Sequence, residues 1–354
     1  VGRITILAFY DRISIFHTFK PFLFSRHRPL FDFSRSVDYC LKKDKNRVLI
    51  LERFFLKPDR VDEQLLKKLR DKYETILFFN GNAGGGIPRL EVLPFVDFFF
   101  NKALFKDKSL YGRRLYGGEL YSDYYHRKYG VDDPDHRDRA VAGDSDQLDK
   151  LRLSWNIGIG DYPRGKLRQR AGVLAARLLG PSWARPFFAS GGVLKSPPAN
   201  LGLFPVQARI DLTSKPSIAW QRKMILEKIE GRAGFLTGGV AQGRFNREIR
   251  NAKITLSPFG WGEVCLRDFE AVLCGSLLLK PDMSHLETWP DVFVPFETYV
   301  PFSWDAEDLL DKTEYYLAHE QERRRIAANA YDSYRQQTAS MEQRLESVLN
   351  LAGL

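Results

Sequence analysis

Residues 253–283 read KITLSPFGWGEVCLRDFEAVLCGSLLLKPDM, an apolar run that enters a glycine-rich turn, a helical pattern and a second apolar run. Lys253 to Leu256 form a short buried strand, and the Ser257-Pro258-Phe259-Gly260-Trp261-Gly262 turn cannot continue it. Glu263 to Cys274 repeat at helical spacing and stop at Gly275; Ser276 to Leu279 give the next strand. At about 100° per residue, Glu263, Arg267, Glu270 and Cys274 share one stripe. Cys265, Leu266, Phe269, Val272 and Leu273 share the opposite, core-facing side. A strand, a glycine turn and a helix N-terminus present free backbone N–H groups and a positive dipole end, which suit an anion. Ionised glutamates along that helix accept hydrogen bonds from ribose or sugar hydroxyls, and Arg267 either meets phosphate or braces the glutamates. The bland alternative is a row of solvated ion pairs, worth about 0.3–0.5 kcal/mol each.

Read as E-x3-R-x2-E-A-x3-G, the run from Glu263 to Gly275 resembles the donor-site signature of GT-B glycosyltransferases, with a glycosyltransferase family 1-type C-terminal domain. Many retaining members carry two glutamates eight residues apart. Here Glu263 and Glu270 are seven apart with an arginine three before the second, a variant similar to the CgeB-like and exostosin-like branches. The resemblance spans roughly residues 205–335. It implies two Rossmann-like domains facing each other across a cleft, and transfer of a sugar from a nucleotide-sugar to a hydroxyl of a glycan or glycolipid, as in bacterial-type surface polysaccharide synthesis. It also implies that Glu270 meets the nucleotide ribose, that the turn of Ser257, Phe259, Gly260, Trp261 and Gly262 faces diphosphate and sugar, and that Glu263 orients the donor sugar. A basic residue near the start of the second domain would meet the diphosphate, and Arg209, Arg222 and Lys223 are the candidates, each with a surface-charge alternative.

Outward from this stretch, Lys280 and His285 leave the end of the following strand, where an α/β sheet opens its cleft. Upstream, Phe204–Leu212 reads as strand, Ile218–Glu230 as helix and 235–237 as strand. Downstream come short strands at 293–296 and 299–302, a helix from Asp308 to His319, and charged helix over 320–352. The first half alternates in the same way: strands at Arg3–Tyr10, Arg47–Glu52 and Thr75–Asn80, a helix at Val61–Tyr73, and a further strand within 95–105. That order favours a parallel sheet with helical crossovers, so the fold class is α/β.

Strand Thr75–Asn80 runs into Asn80-Gly81-Asn82-Ala83-Gly84-Gly85-Gly86. This loop is an acceptor-side or phosphate candidate through Asn80, Gly81, Gly84 and Gly85, although it has neither Walker nor G-x-G-x-x-G spacing. The segment from Trp155 and Asn156 to Asp161 and Tyr162 is a second acceptor-side candidate. Aromatic rings stack on sugars, and Asp161 is a candidate base; Asp11 and His17 are weaker ones, and each has a structural alternative as a cap or loop residue. Residues 165–186 form a basic, leucine-rich helical stretch suited to another domain or an anionic membrane surface. The reading divides the chain into 1–190, with a charged insertion near 106–150, a donor domain at 191–335, and a C-terminal helix at 336–354 that packs back on the first domain. A hinge is expected near 189–192.

At 354 residues the chain is long enough for two cores. No apolar run reaches membrane-spanning length, and VGRITILAFYDR at the start reads as a first strand rather than a signal peptide. Three cysteines and six scattered histidines give no disulfide framework or zinc spacing. A reducing, cytoplasmic setting is expected, at most peripheral to a membrane, with no metal and no cofactor beyond the nucleotide-sugar substrate. The formal charge of +10 calls for an anionic partner. Nucleic acid is not expected, because the basic residues are dispersed among 44 acidic ones and no nucleic-acid motif accompanies them. Two other classes stay open: a GT-B-like epimerase or phosphorylase, and a non-enzymatic polyanion-binding protein.

Overall fold

The computed structural model describes residues 3–52, 61–81, 83–136, 139, 141, 145–162, 165–189 and 198–353. The expected hinge at 189–192 lies, apart from Ala189, outside them, as do Asn82 and part of the charged insertion.

Buried apolar runs build two parallel sheets. The first joins β1 (Ile4–Leu7), β2 (Phe31–Ser34), β3 (Val48–Glu52), β4 (Thr75–Asn80), β5 (Phe98–Asn101) and β7 (Leu151–Leu153) in the order β2-β1-β3-β4-β5-β7. The second joins β8 (Phe204–Gln207), β9 (Phe235–Leu236), β10 (Ala252–Leu256), β11 (Leu277–Pro281) and β13 (Val300–Phe302) in the order β13-β11-β10-β8-β9. Both orders place the sheet's first strand between its second and third, so each winding reverses beside that first strand. Ligand crevices of doubly wound sheets open at such a reversal, beyond the carboxyl ends of the strands. In the second sheet the reversal falls between β8 and β10, and the loop leaving β10 is the Ser257–Gly262 turn. The expected pair of Rossmann-like sheets is therefore present.

The helices are α1 (Lys20–Phe24), α2 (Val37–Lys42), α3 (Glu63–Lys72), α4 (Leu120–Tyr129), α5 (Ser145–Leu148), α6 (Lys166–Leu179), α7 (Pro216–Ile229), α8 (Gln242–Asn251), α9 (Leu266–Leu273), α10 (Leu309–Ala318), α11 (Glu320–Ala339) and α12 (Met341–Leu351). Among the described residues none is long and apolar enough to cross a membrane. Strand expectations held where an apolar run ended at polar residues, as at Thr75–Asn80. The expected strand at 293–296 is instead a loop with one bridge, Pro295 to Tyr299.

The two halves share packing. A short antiparallel pair joins β6 (Ala103–Phe105) of the first half to β12 (Leu286–Thr288) of the second. One buried apolar cluster runs from Leu49 and Phe78 through Phe259 and Phe269 to Tyr334. Helix α12 returns to the first sheet's side, where Leu345, Val348 and Leu349 pack in the cluster holding Ile4, Ile6 and Phe22. Glu342 and Glu346 meet Arg26 and His27 there.

Candidate functional site

Helix α9 starts later than its periodicity suggests. Cys265 is the N-cap, its backbone N–H donating to Asp268 Oδ2 at 2.9 Å, so the first helical residue is Leu266. Asp268 also accepts from Ser257 Oγ at 2.6 Å and Lys280 Nζ at 3.1 Å, and all three side chains are fully buried. Ser257 and Lys280, expected at the donor, are therefore spent on pinning the turn to the start of α9 and to β11. Breaking such a buried pair leaves an uncompensated charge. At the other end Gly275 closes α9 with φ of +62°, the left-handed geometry that glycine adopts without strain.

Glu263 thus lies ahead of the helix and leaves the stripe it was expected to share with Arg267 and Glu270. It is fully buried and turns toward the first sheet, where its Oε2 accepts the Gly85 N–H at 2.8 Å. His285 Nε2 stands 3.7 Å from its Oε1. The next amide, that of Gly86, donates to Glu119 Oε2 at 3.1 Å, and Lys215 Nζ stands 3.9 Å from Glu119 Oε1. Burial drives Glu119 up to about 7; Lys215 works against the rise and Glu263 adds to it. Burial pushes Glu263 up as well, but the contact with His285 and the Gly85 amide outweigh it and hold the carboxyl below its ordinary value. Gly262 packs so closely on Ala83 and Gly84 that a Cβ would overlap the Ala83 carbonyl. The two glycine loops, expected to face each other across open space, seal against each other here.

The open part of the cleft lies beside this seam. A cavity of about 430 Å³ sits at the β8/β10 reversal, lined by Asp211, Arg222, Trp261, Arg267 and Glu270 among others. Trp261 is 74% exposed, an aromatic face free to stack. Arg222 donates to the Phe259 carbonyl at 3.0 Å and the Asp211 carbonyl at 2.5 Å, which ties together the loops leaving β8 and β10. Arg267 donates to the Arg209 carbonyl at 2.5 Å. The site therefore combines cations, a carboxylate one turn into α9, a helix N-terminus and an aromatic ring, a set that suits a phosphorylated, hydroxyl-bearing ligand. A larger cavity of about 740 Å³ shares Phe245 and Glu270 with it and reaches Arg12, Tyr162 and Lys166 of the first domain.

Several expected contacts do not reach either cavity. Arg209 is held by the buried Glu248, at 2.8 and 2.7 Å. Lys223 pairs with Glu227 on the surface of α7. Trp155 is buried among Phe22 and Phe79 and donates to the Thr18 carbonyl at 3.0 Å, so it is core rather than a sugar platform. Asn156 is spent on Pro290 and Gly158, and Asn80 on Asn101. Gly81 is buried, its carbonyl taken by Lys102. Asp161 is buried and accepts from Gln169 Nε2 and the Ala189 amide, which anchors the chain at both ends of the α6 region. His17 is buried against Ile157. Asp11 is only half-buried; it caps the turn at Ser14 with a 2.7 Å bond, next to cavity-lining Arg12. Glu119, Phe245 and Arg250 were not singled out from sequence. The Gly-Gly-Glu at 117–119 carries a carboxylate on a tight turn, the one local signal for Glu119.

Residues 205–350 match the family described as glycosyl transferase-like. Over these residues the chain is similar to that family. The matched stretch takes in β8, β10, α9 and the switch-point cavity, so the residues similar to that family also carry the basic, glutamate-bearing crevice. No curated protein matches the chain. Similar solved structures include an α-glucosyltransferase in complex with UDP, at 9% identity over 99% of this chain and 100% of that one, TM-score 0.45. Others are HepE of Anabaena with UDP-glucose, at 10% identity, 99% and 100% coverage and TM-score 0.42, and a glycosyltransferase from Rickettsia africae, at 10% identity, 99% and 98% coverage and TM-score 0.45.

Proposed function

We propose that the chain is a glycosyltransferase that moves a sugar from a nucleotide-sugar to a hydroxyl of a glycan or glycolipid, in the synthesis of a surface polysaccharide. The observation that carries the reading is the coincidence of the glycosyl transferase-like match with the crevice at the β8/β10 reversal. Glu270 takes the ribose hydroxyls, and Arg222, Arg267 and the start of α9 face the diphosphate, whose growing charge they stabilise without a metal or other cofactor. The acceptor oxygen bonds to the anomeric carbon as the bond to the diphosphate breaks. The diphosphate leaves with the electron pair, and the hydroxyl proton passes to a carboxylate. Of the two carboxylates considered for that role, Asp161 is buried and engaged, which favours Asp11, beside cavity-lining Arg12.

The same reading places the protein in the cytoplasm at the inner face of an anionic membrane. Its support is α6 and the turn after it, where Leu167, Leu174, Leu178, Leu179 and Trp183 are exposed beside Arg170 and Arg185.

A thermal-shift screen with UDP, GDP, CMP and their sugars tests the donor. A nucleotide at 100 times its Kd stabilises by about 2.7 kcal/mol; no shift with any of them contradicts the reading.

A further inference from the structure

The larger cavity has a composition that donor binding does not explain. Its walls come from both domains: Arg12, Lys166 and Arg168 from the first, Phe245, Arg250 and Glu270 from the second. Among the described residues lining it, four side chains are cationic and Glu270 is the one carboxylate. Arg168 also stands 3.6 Å from the buried carboxylate of Asp161, which offsets part of its charge and leaves more of the cavity's positive character to the other three. Lys166 and Arg250 are exposed and sit on different domains. Between these cations lie Tyr162, Phe245, Ile249 and Leu273, an apolar and aromatic lining of the kind that meets the face of a sugar ring. At about 740 Å³ the space is within the range of small-molecule sites, and it shares Phe245 and Glu270 as lining with the switch-point cavity. A ligand seated there lies beside the crevice proposed for the donor.

We infer that this cavity is the acceptor subsite and that it selects an acceptor sugar bearing an anionic group, a phosphate or a carboxylate. The inference rests on the glycosyl-transfer reading and narrows it from any glycan to a charged one. Clustered cations in a partly enclosed cleft raise the local concentration of an anion and favour it over its neutral analogue. The apolar lining then orients the ring, while the charge sets which sugar enters.

Calorimetric titration of the full chain with glucose, glucuronate and glucose 6-phosphate, each with and without saturating UDP, tests this. The expected result is that at least one charged sugar binds tenfold or more tightly than glucose, at a site UDP does not compete for. Glucuronate and glucose 6-phosphate report separately whether carboxylate or phosphate is the preferred group. Arg250→Gln and Lys166→Gln, both surface positions, should each weaken the charged sugar at least threefold and leave UDP affinity unchanged. Equal binding of glucose and both charged sugars overturns the inference, as does an affinity unmoved by either substitution. Displacement by UDP overturns it too, since the cavity would then belong to the donor. A charged sugar that binds to a chain with no affinity for any nucleotide removes the acceptor role together with the transfer reading.

Discussion

Glu119 titrates near 7 because it is buried beside a second carboxylate, with Lys215 only partly offsetting both. A folded value above the unfolded one means that the folded chain binds the proton more tightly. Its contribution to stability is full below the ordinary value of 4.5 and is lost as pH rises through about 7. Glu119→Gln keeps an acceptor for the Gly86 amide and removes the titration. Chemical denaturation of both proteins between pH 5 and 8 should show the wild type losing stability relative to the variant as pH rises; parallel curves would place Glu119 in an ordinary carboxylate environment. Asp11 lends itself to a different substitution. Asparagine still caps Ser14, so Asp11→Asn should fold normally and bind nucleotide as before, while kcat falls about 100-fold or more if Asp11 takes the hydroxyl proton. An unchanged kcat would leave Asp11 as a cap alone. At this scale the sequence was least legible. Nothing local distinguishes Lys280, aimed inward at Asp268, from a lysine aimed at a phosphate, because the partner lies twelve residues away and is brought near only by the β10-α9-β11 crossover. Trp155 and Asn156 were misread for the same reason: an aromatic and glycine loop has the same composition whether it lines a cleft or packs into a core.

Elements were more legible than contacts. The strands at Val48–Glu52, Thr75–Asn80 and Ala252–Leu256 follow from apolar runs bounded by polar or turn residues, and Gly275 ends α9 as its position suggested. The start of α9 was missed because the apolar spacing continues back to Glu263, while the Cys265–Asp268 capping box that sets the boundary has an unusual thiol cap. The short elements after β1, at Ser14–Thr18 and Lys20–Phe24, are five residues each, and the first is buried along its whole length, so neither shows a helical stripe. Helix α6 carries the proposed membrane contact. Its leucines face outward, which costs solubility unless something covers them. In vesicle flotation the protein should partition onto membranes containing phosphatidylglycerol and not onto pure phosphatidylcholine. Leu174→Ser with Leu178→Ser should cut the bound fraction about tenfold without lowering thermal stability. Equal partition onto both vesicle types, or none, would detach α6 from a membrane role.

For the whole molecule, the repeated winding order matters more than either domain alone. Two sheets with the same reversal beside their first strands each present a crevice, and the chain brings these carboxyl ends together through the β6–β12 pair, the Gly85–Glu263 bond and the returning α12. The α/β class and the two-sheet plan were legible from strand-helix alternation and length. Which faces meet was not, because the seam is made by residues 178 apart in the chain. That meeting leaves a basic switch-point crevice on one side and a sealed pair of glycine loops on the other.

The proposed function requires a nucleotide in the crevice between β8 and β10. It is tested most directly by calorimetric titration of the nucleotide that gives the largest thermal shift into wild type, Glu270→Ala and Arg267→Ala. Both substituted side chains line the crevice and neither is buried. Binding to wild type, weakened about tenfold or more by each substitution with melting temperatures nearly unchanged, is the predicted result. Equal affinity in all three proteins, or no binding to the wild type, would contradict it.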